Sequence, residues 1–539
     1  MGKKLALKWI TDVIGEDYKN WSQGDYVIID AQTGCGKTYF ILNKLLNNIS
    51  KNDSILYICN RTNLKRQIKV DLLKHYGLYK DDMKLDTIDK IKWIQNVRVT
   101  SYHELFFNNI NQIYDGEDNR FELNKPRYMI LDECQFLFED ASFCNKIQYT
   151  YKNLISEYQP FTTKIFLSST MQEIKNKIID NFNLGNAPAS KLRIYNTGRD
   201  YSYLNIKYFK KLGNIVNLIH NDKTDDKWLI FVSSIQKGIE MQKQLGNDIS
   251  IFVQARDKIT NKFNDIVKDC KFKQKVFITT KVLENGINIK DDKLKNLVVM
   301  TYDQTSFIQE IGRKRININD APIVNIYIPT RQYKTFRSLN KTYEDKLKEV
   351  KLFKDDPVEF NKKYDNDLKL FKKNNLNELF YKDKFTKEFK INEIGLHRLK
   401  IDKKFAIKMM HILKKDEFGY IKEQLDWLNL GYTFNENELI EDIILDIELE
   451  NLIKFLNSLV GQQLFKKERK ELIDKINLRD NRGRQQKSIS LINAYFKENK
   501  IPFIIDRDRD NKEKLDDGQK NLNFRKTYWI IGEINYKKK

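Results

Sequence analysis

Eight residues near the start of the chain, AQTGCGKT at 31–38, have the types and spacing to hold a phosphate chain. They follow the apolar run YVIID and open a segment of helical pattern. Gly34 and Gly36 let backbone N–H groups close around phosphate oxygens, and the start of a helix adds a favourable dipole. Lys37 is placed to reach the β- and γ-phosphates, and the Thr38 hydroxyl to ligate Mg²⁺. Gln32, Thr33 and Cys35 complete the loop, so ATP with Mg²⁺ is the expected ligand. A second cluster, DECQ at 132–135, follows the run YMIL. Carboxylates at the carboxyl end of a parallel strand face the crevice where such sheets bind ligands. Asp132 is expected to hold Mg²⁺, often through water, and Glu133 to orient or deprotonate an attacking water. An acidic pair at a strand end is commonly just solvated; its register with a phosphate loop gives it a chemical reading.

The elements that must carry these residues come next. Residues 26–30, 54–59, 96–100, 128–132 and 164–168 are short apolar runs without polar alternation, separated by segments long enough for crossovers. That pattern predicts a parallel sheet covered on both faces. After TGRDY at 197–201, read as a connector, a second series follows at 227–232, 250–253, 275–279, 297–300 and 324–328. Two α/β domains in tandem are therefore expected. From about Phe336 the pattern becomes helical and Lys-rich; Ile440, Ile443, Ile444 and Ile447 have the spacing of a packed helix face. The acidic residues at 441–450 alternate with that face and read as an amphipathic helix. Near the end, a helix at 488–497 leads into IPFIID, a charged stretch and TYWIIGEI, which suggests a winged-helix-like unit with 506–514 as its wing. The expected domains are 1–200, 201–335, 336–480 and 481–539.

With these motifs in order, the chain resembles the superfamily 2 helicases, DEAD/DEAH-like DExx-box ATPases of phage or mobile-element type. AQTGCGKT, DECQ and SST at 168–170 resemble motifs I, II and III. NRTNLKRQ at 60–67 resembles motif Ia, and TSY at 100–102 another strand-end motif that grips nucleic acid. In the second domain IFVS at 230–233, TKVLENGINI at 280–289 and QEIGRKR at 309–315 resemble motifs IV, V and VI. The resemblance covers roughly residues 20–330 and implies two RecA-like domains with ATP in the cleft between them and nucleic acid across both. It implies Arg313 as an arginine finger, Gln309 against the phosphates, and Gly286 with Asn288 linking that site to the bound strand. Ser168 and Thr170 would couple hydrolysis to the gripping surface. Arg61, Thr100, Ser101, Ser233 and Thr279 are the candidate backbone contacts, which carry no sequence preference.

Three positions depart from the family pattern. Motif II ends in Gln135 rather than His or Asp. Motif VI has Ile316 where a second arginine is expected, with Arg315 the nearest substitute. Asn288 stands where many members have Asp or Thr. Trp21 and Tyr18 are candidates to stack on adenine, although both also fit as core aromatics. Only about 20 residues separate 289 from 309, and they contain a strand, so no long strand-splitting hairpin fits there.

Composition agrees with a nucleic-acid partner without requiring one. The formal charge of +22 suits a polyanion, but the abundance of Lys, Asn and Ile also fits an AT-rich coding bias. Basic clusters at 465–470 and at Arg482, Arg484 and Lys487 read either as duplex contacts or as solvated helix faces. Hydrophobic residues make up 41% of the chain, which excludes a disordered protein. Five scattered cysteines with no C-x-x-C pair argue against a disulfide framework or zinc module. Lys8 interrupts the apolar start, and no run approaches a bilayer-spanning length, so a cytoplasmic location is expected. The expected function is an ATP-dependent DNA helicase or translocase, in replication or repair and with replication partner proteins. RNA unwinding, an ATP-gated clamp or loader, and an inactive scaffold are the alternatives.

Overall fold

A computed structural model describes residues 2–60, 62–106, 126–142, 144–156, 161–185, 189–254, 266, 270–280, 288–365, 367–383, 386–479 and 484–534. These residues form two compact units, 1–435 and 436–539.

The larger unit begins with a seven-stranded sheet: β1 (Tyr26–Asp30), β2 (Ile55–Cys59), β3 (Trp93–Ile94), β4 (Val97–Ser101), β5 (Tyr128–Asp132), β6 (Thr163–Ser168) and β7 (Leu192–Asn196). Their order is β3-β4-β2-β5-β6-β1-β7, parallel apart from the β3–β4 pair. Strands β1, β2, β5 and β6 are buried along their whole length because both faces are covered, which is why they read as unbroken apolar runs. Edge strand β7 is half-exposed and carries Arg193 and Asn196, so it lacks that signature. In the central order β5-β6-β1, the carboxyl ends carry DECQ, SST and the phosphate loop side by side.

The second lobe is a six-stranded, all-parallel sheet: β8 (Leu204–Phe209), β9 (Lys227–Phe231), β10 (Ser250–Val253), β11 (Val276–Thr279), β12 (Leu294–Val299) and β13 (Val324–Pro329). Its order is β10-β11-β9-β12-β13-β8. The two RecA-like sheets expected from sequence are present, each with one strand, β7 or β8, flanking the connector at 197–203. Besides the connector, the N-terminal segment joins the lobes. Lys3 pairs with Ala321, the Leu5 amide donates to Ile318 O at 2.9 Å, and the Ala6 amide to Asp200 Oδ2 at 2.7 Å. Lys8 N donates to Thr197 O at 3.1 Å, so residues 6–8 run beside the connector.

Seven helices of this unit carry or brace the residues of interest: α1 (Lys37–Phe40), α2 (Thr62–His75), α3 (Gln172–Gly185), α4 (Gln304–Ile311), α5 (Tyr333–Asp355), α6 (Glu393–Leu413) and α7 (Gly419–Trp427). Phe360, Tyr364, Phe371, Phe380 and Phe389 build a separate core beneath α5 and α6. This helical region touches both lobes. Arg398 of α6 pairs with Glu173 of α3 and, at 3.0 Å, with Asp402. Tyr420 of α7 donates to Thr301 O at 3.0 Å, and Trp427 lies 5.5 Å edge-on to Phe307 of α4. Burial alone would depress the Arg398 guanidinium, but Asp402 and Glu173 hold it strongly protonated.

The smaller unit contains α8 (Ile440–Leu459), α9 (Lys466–Ile476) and α10 (Ile489–Glu498), followed by the antiparallel hairpin β14 (Phe503–Arg509) and β15 (Thr527–Glu533). Leu464, just before α9, bridges to Trp529 of β15. Helix, isolated bridge, two helices and hairpin follow one another along this unit. Leu452, Leu456 and Leu472 share one core with Ile492, Phe496, Ile505 and Trp529, so residues on both sides of 480 fold together. The strand β14 runs on through Arg509, and the turn begins at Asp510 rather than at 506.

Candidate active site between the two lobes

The phosphate loop takes its shape from two glycines in left-handed backbone, Gly34 at φ 96° and Gly36 at φ 83°. A side chain at Gly36 would sit 3.3 Å from the Trp9 ring. Lys37 opens α1, and its ammonium donates to Ala31 O at 2.7 Å across the mouth of the loop. Gln32 is buried and makes a two-way contact with Asp200 of the connector: its amide donates to Asp200 O and its carbonyl accepts from Asp200 N, both at 2.9 Å. The loop is thereby tied to the joint between the lobes.

Asp132 ends β5, buried, with Tyr57 Oη donating to its Oδ2 at 2.9 Å. Burial, with Glu133 adding to it, lifts the Asp132 carboxyl to about 6, against the pull of Tyr57 and Lys37. Glu133 itself has a positive φ of 51°, an uncommon backbone for a residue with a side chain. Its Oε2 accepts from Gln135 Nε2 at 2.8 Å. The same Gln135 amide accepts from Ser168 Oγ at 2.6 Å, and Ser168 Oγ accepts from Thr170 N at 2.9 Å. A continuous chain therefore runs from Glu133 through Gln135 to Ser168 and Thr170. Gln135 is the link, a role its departure from the family pattern does not advertise.

The second lobe closes the cleft. A side chain at Gly312 would sit 2.9 Å from Thr33 Oγ1, so the Thr33 side chain of the loop packs directly on the end of α4. Gln309 Nε2 donates to Glu139 Oε1 at 2.9 Å, joining the lobes directly. Arg313 is buried, with its Nε donating to Gln309 O at 3.1 Å. Residues 313–315 pair with Ile289: Ile289 N donates to Arg313 O at 2.8 Å and Arg315 N to Ile289 O at 3.0 Å. Burial and Arg313 lower the Arg315 guanidinium to about 10, while Glu133 and Asp132 of the other lobe favour its charge. Arg315 thus faces the acidic pair electrostatically. Sequence spacing ranked it only as a substitute; its place depends on how the lobes meet.

The remaining candidates fall into three groups. Thr100, Ser101 and Thr279 stand at carboxyl ends of strands, all buried. The Thr100 hydroxyl donates to Glu104 at 2.5 Å and that of Thr279 to Val253 O at 3.1 Å. Ser233 is exposed just beyond β9, with Lys237 Nζ donating to its hydroxyl at 3.2 Å. Asn288 is half-buried, next to the 289–315 pairing. Arg61 and Gly286 lie outside the described residues, as does Arg482. Trp21 and Tyr18 are core residues packed on Phe40, at 6.0 and 5.7 Å between rings, and the Trp21 indole donates to Tyr195 at 3.2 Å.

A phosphate loop and acidic strand end on one parallel sheet, met by a basic segment of a second, define a nucleotide hydrolase whose site is completed by two lobes. Residues 16–177 match the DEAD/DEAH box helicase family, and residues 209–317 match the helicase conserved C-terminal domain. The chain belongs to the DEAD/DEAH box helicases of superfamily 2, ATP-hydrolysing and nucleic-acid-dependent. Among solved structures it is similar to Saccharomyces cerevisiae Dbp5 bound to RNA and ADP BeF3 (16% identity, 60% of this chain and 83% of that chain, TM-score 0.41). It is also similar to the DEAD-box helicase Mss116 bound to ssRNA and UDP-BeF (15%, 78% and 86%, TM-score 0.44). A third is Mycobacterium smegmatis helicase Lhr bound to ssDNA and AMP-PNP (13%, 62% and 46%, TM-score 0.39). No curated protein matches the sequence. Among the described residues, no helix is long and apolar enough to cross a membrane.

Proposed function

We propose that this helicase is a motor on DNA, a helicase or translocase in which hydrolysis of ATP in the cleft drives the lobes along the strand. The observation that carries the motor reading is the division of the site: Lys37, Asp132 and Glu133 belong to one lobe and Gln309, Arg313 and Arg315 to the other. Lys37 trades its bond to Ala31 O for the phosphates. Glu133, held by Gln135, orients and deprotonates the attacking water. Arg313 stabilises charge developing on the transferring phosphoryl group, with Gln309 and Asn288 positioning that side of the cleft. Mg²⁺, when bound, would supply charge neutralisation at the phosphates. The Thr38 hydroxyl and the Asp132 carboxylate suit it as hard oxygen donors, with the carboxylate already oriented by Tyr57. The Gln135–Ser168–Thr170 chain leads from Glu133 to the neighbouring strand end and supports a coupling role for Ser168 and Thr170.

DNA is favoured by the terminal unit, whose helices and hairpin follow the order of a duplex-binding winged helix. Because the Thr100 and Thr279 hydroxyls donate inside the lobes, whereas those of Ser101 and Ser233 accept from Glu104 N and Lys237 Nζ, we assign the strand grip there to backbone amides and to Ser101 and Ser233. Measuring ATPase stimulation by single-stranded DNA, duplex DNA and RNA of equal length tests this. Stimulation by DNA supports the proposal, whereas stimulation by RNA alone overturns the choice of DNA and leaves the motor. Displacement of a tailed duplex distinguishes unwinding from translocation, and slow hydrolysis without movement indicates a clamp.

A further inference from the structure

The terminal unit presents its positive charge in a place the winged-helix order does not suggest. Helix α10, the element that order would lay in a DNA groove, exposes Ser490, Leu491, Ala494, Lys497 and Glu498, with one cation among them. The turn at 510–525 carries Lys512, Lys514, Lys520 and Arg525 against Asp510, Glu513, Asp516 and Asp517, a formal balance of zero. Two of those carboxylates sit beside Gly518 at its tip, where a phosphate would be repelled.

The cations instead gather at the start of α9. A groove of about 670 Å³ opens there, lined by Lys466, Lys467, Arg469, Arg507 and Lys526. Glu468 is its only carboxylate, and the Oε2 of that residue is turned to the Phe465 amide at 3.1 Å. The formal balance is +4. Lys466, Lys467 and Arg507 are exposed and, among the described residues, in no ion pair. Arg469 is steadied over the Trp529 ring at 5.8 Å, and Trp529 is the register partner of Arg507 across the hairpin. Phe465, at the N-cap of α9, has no side-chain acceptor to offer, so the first-turn N–H groups add their dipole to the same opening. The Asn523 and Thr527 side chains complete the lining with neutral hydrogen-bonding groups.

We propose that this groove, rather than α10 or the hairpin turn, is where the terminal unit binds the phosphate backbone of nucleic acid. The inference rests on the nucleic-acid-dependent reading of the chain and assigns a second contact site, remote in sequence from the strand-end motifs. Its contacts are to phosphate, so the affinity it contributes is indifferent to base sequence and falls with salt.

The test uses the full-length chain and a fluorescent tailed duplex, in DNA and RNA forms, titrated by anisotropy over a series of salt concentrations. The substitutions Lys466→Gln, Lys467→Gln and Arg507→Gln, combined, should weaken duplex binding roughly tenfold or more and lower the slope of log affinity against log salt by about 2–3. All three side chains are on the surface, and unchanged protection of the core amides of residues 452–531 in hydrogen exchange shows that the terminal unit is still folded. The combination Lys512→Gln, Lys514→Gln and Lys520→Gln in the turn should leave the slope nearly unchanged. If the groove variant keeps the parental affinity and slope, or the turn variant is the one that loses them, the inference is overturned while the motor reading stands. A parent chain that binds neither duplex overturns both.

Discussion

At the scale of single residues, the site turns on a few side chains whose partners can be counted. Glu133 accepts from Gln135 and stands beside Asp132, so Glu133→Gln should lower the ATPase turnover by about 10²–10⁴. Nucleotide affinity, followed with a fluorescent analogue, should survive. Gln135→Leu should leave more hydrolysis but less coupling: Glu133 loses a donor and the buried Ser168 hydroxyl an acceptor, at roughly 1–3 kcal/mol each. The expected readout is a reduced ratio of nucleic-acid-stimulated to basal ATPase. Asp132 makes a prediction about pH. Its carboxyl ordinarily titrates near 3.8 and is raised to about 6 in the folded protein, so the folded form holds a proton that the unfolded form has released. Stability from this group is therefore fully present below about 4 and is lost as pH rises through 6. Asp132→Asn should raise the melting temperature at pH 7 more than at pH 4, by a free energy on the order of 2 kcal/mol. Mg²⁺ binding should move the other way, weakening below pH 6 as the carboxyl takes up its proton. Lys37, Asp132 and Glu133 were legible in the sequence because strand and loop spacing dictate where they stand. The approach of Arg315, named from the sequence only as a substitute for the second motif VI arginine, to the acidic pair and the Gln309–Glu139 bond were not, because they depend on two sheets meeting.

Among the elements, α6 shows how the helical region is held to the first lobe. Arg398 is buried and pairs with the half-buried Glu173 and Asp402, so Arg398→Ala strands two carboxylates in a poorly solvated place. Unfolding free energy should fall by about 3–5 kcal/mol, and adding Glu173→Gln should recover part of it; denaturant titration checks both. The central strands were legible for the opposite reason to α6. Their residues are apolar on both faces, whatever the rest of the chain does. Strands β7 and β8 lacked that signal, since each lies on an edge and mixes Arg193, Asn205 and Lys207 with its apolar residues. The short hairpin of Phe380–Lys382 with Phe389–Ile391 was also missed, being only three residues a side within Lys-rich sequence.

For the whole molecule, the division after Asn435 matters most. Every residue assigned to the nucleotide site precedes it. A chain ending at 435 should retain basal ATPase, measured without nucleic acid, and should bind a duplex more weakly than the full chain. The sequence suggested a break near 480 because the composition turns most visibly there, but Leu452, Leu456 and Leu472 bury themselves against Phe496 and Trp529. Shared burial between distant segments leaves no local mark. The junction between the lobes has a further consequence. Residues 6–8 lie alongside 197–200, and Lys3 and Leu5 are hydrogen-bonded to the far lobe, so the joint is two chains thick. A protease that cuts once between 197 and 203 would sever the covalent path yet leave the second ply in place. The nicked protein should therefore migrate as two fragments in detergent and elute as one particle in native buffer.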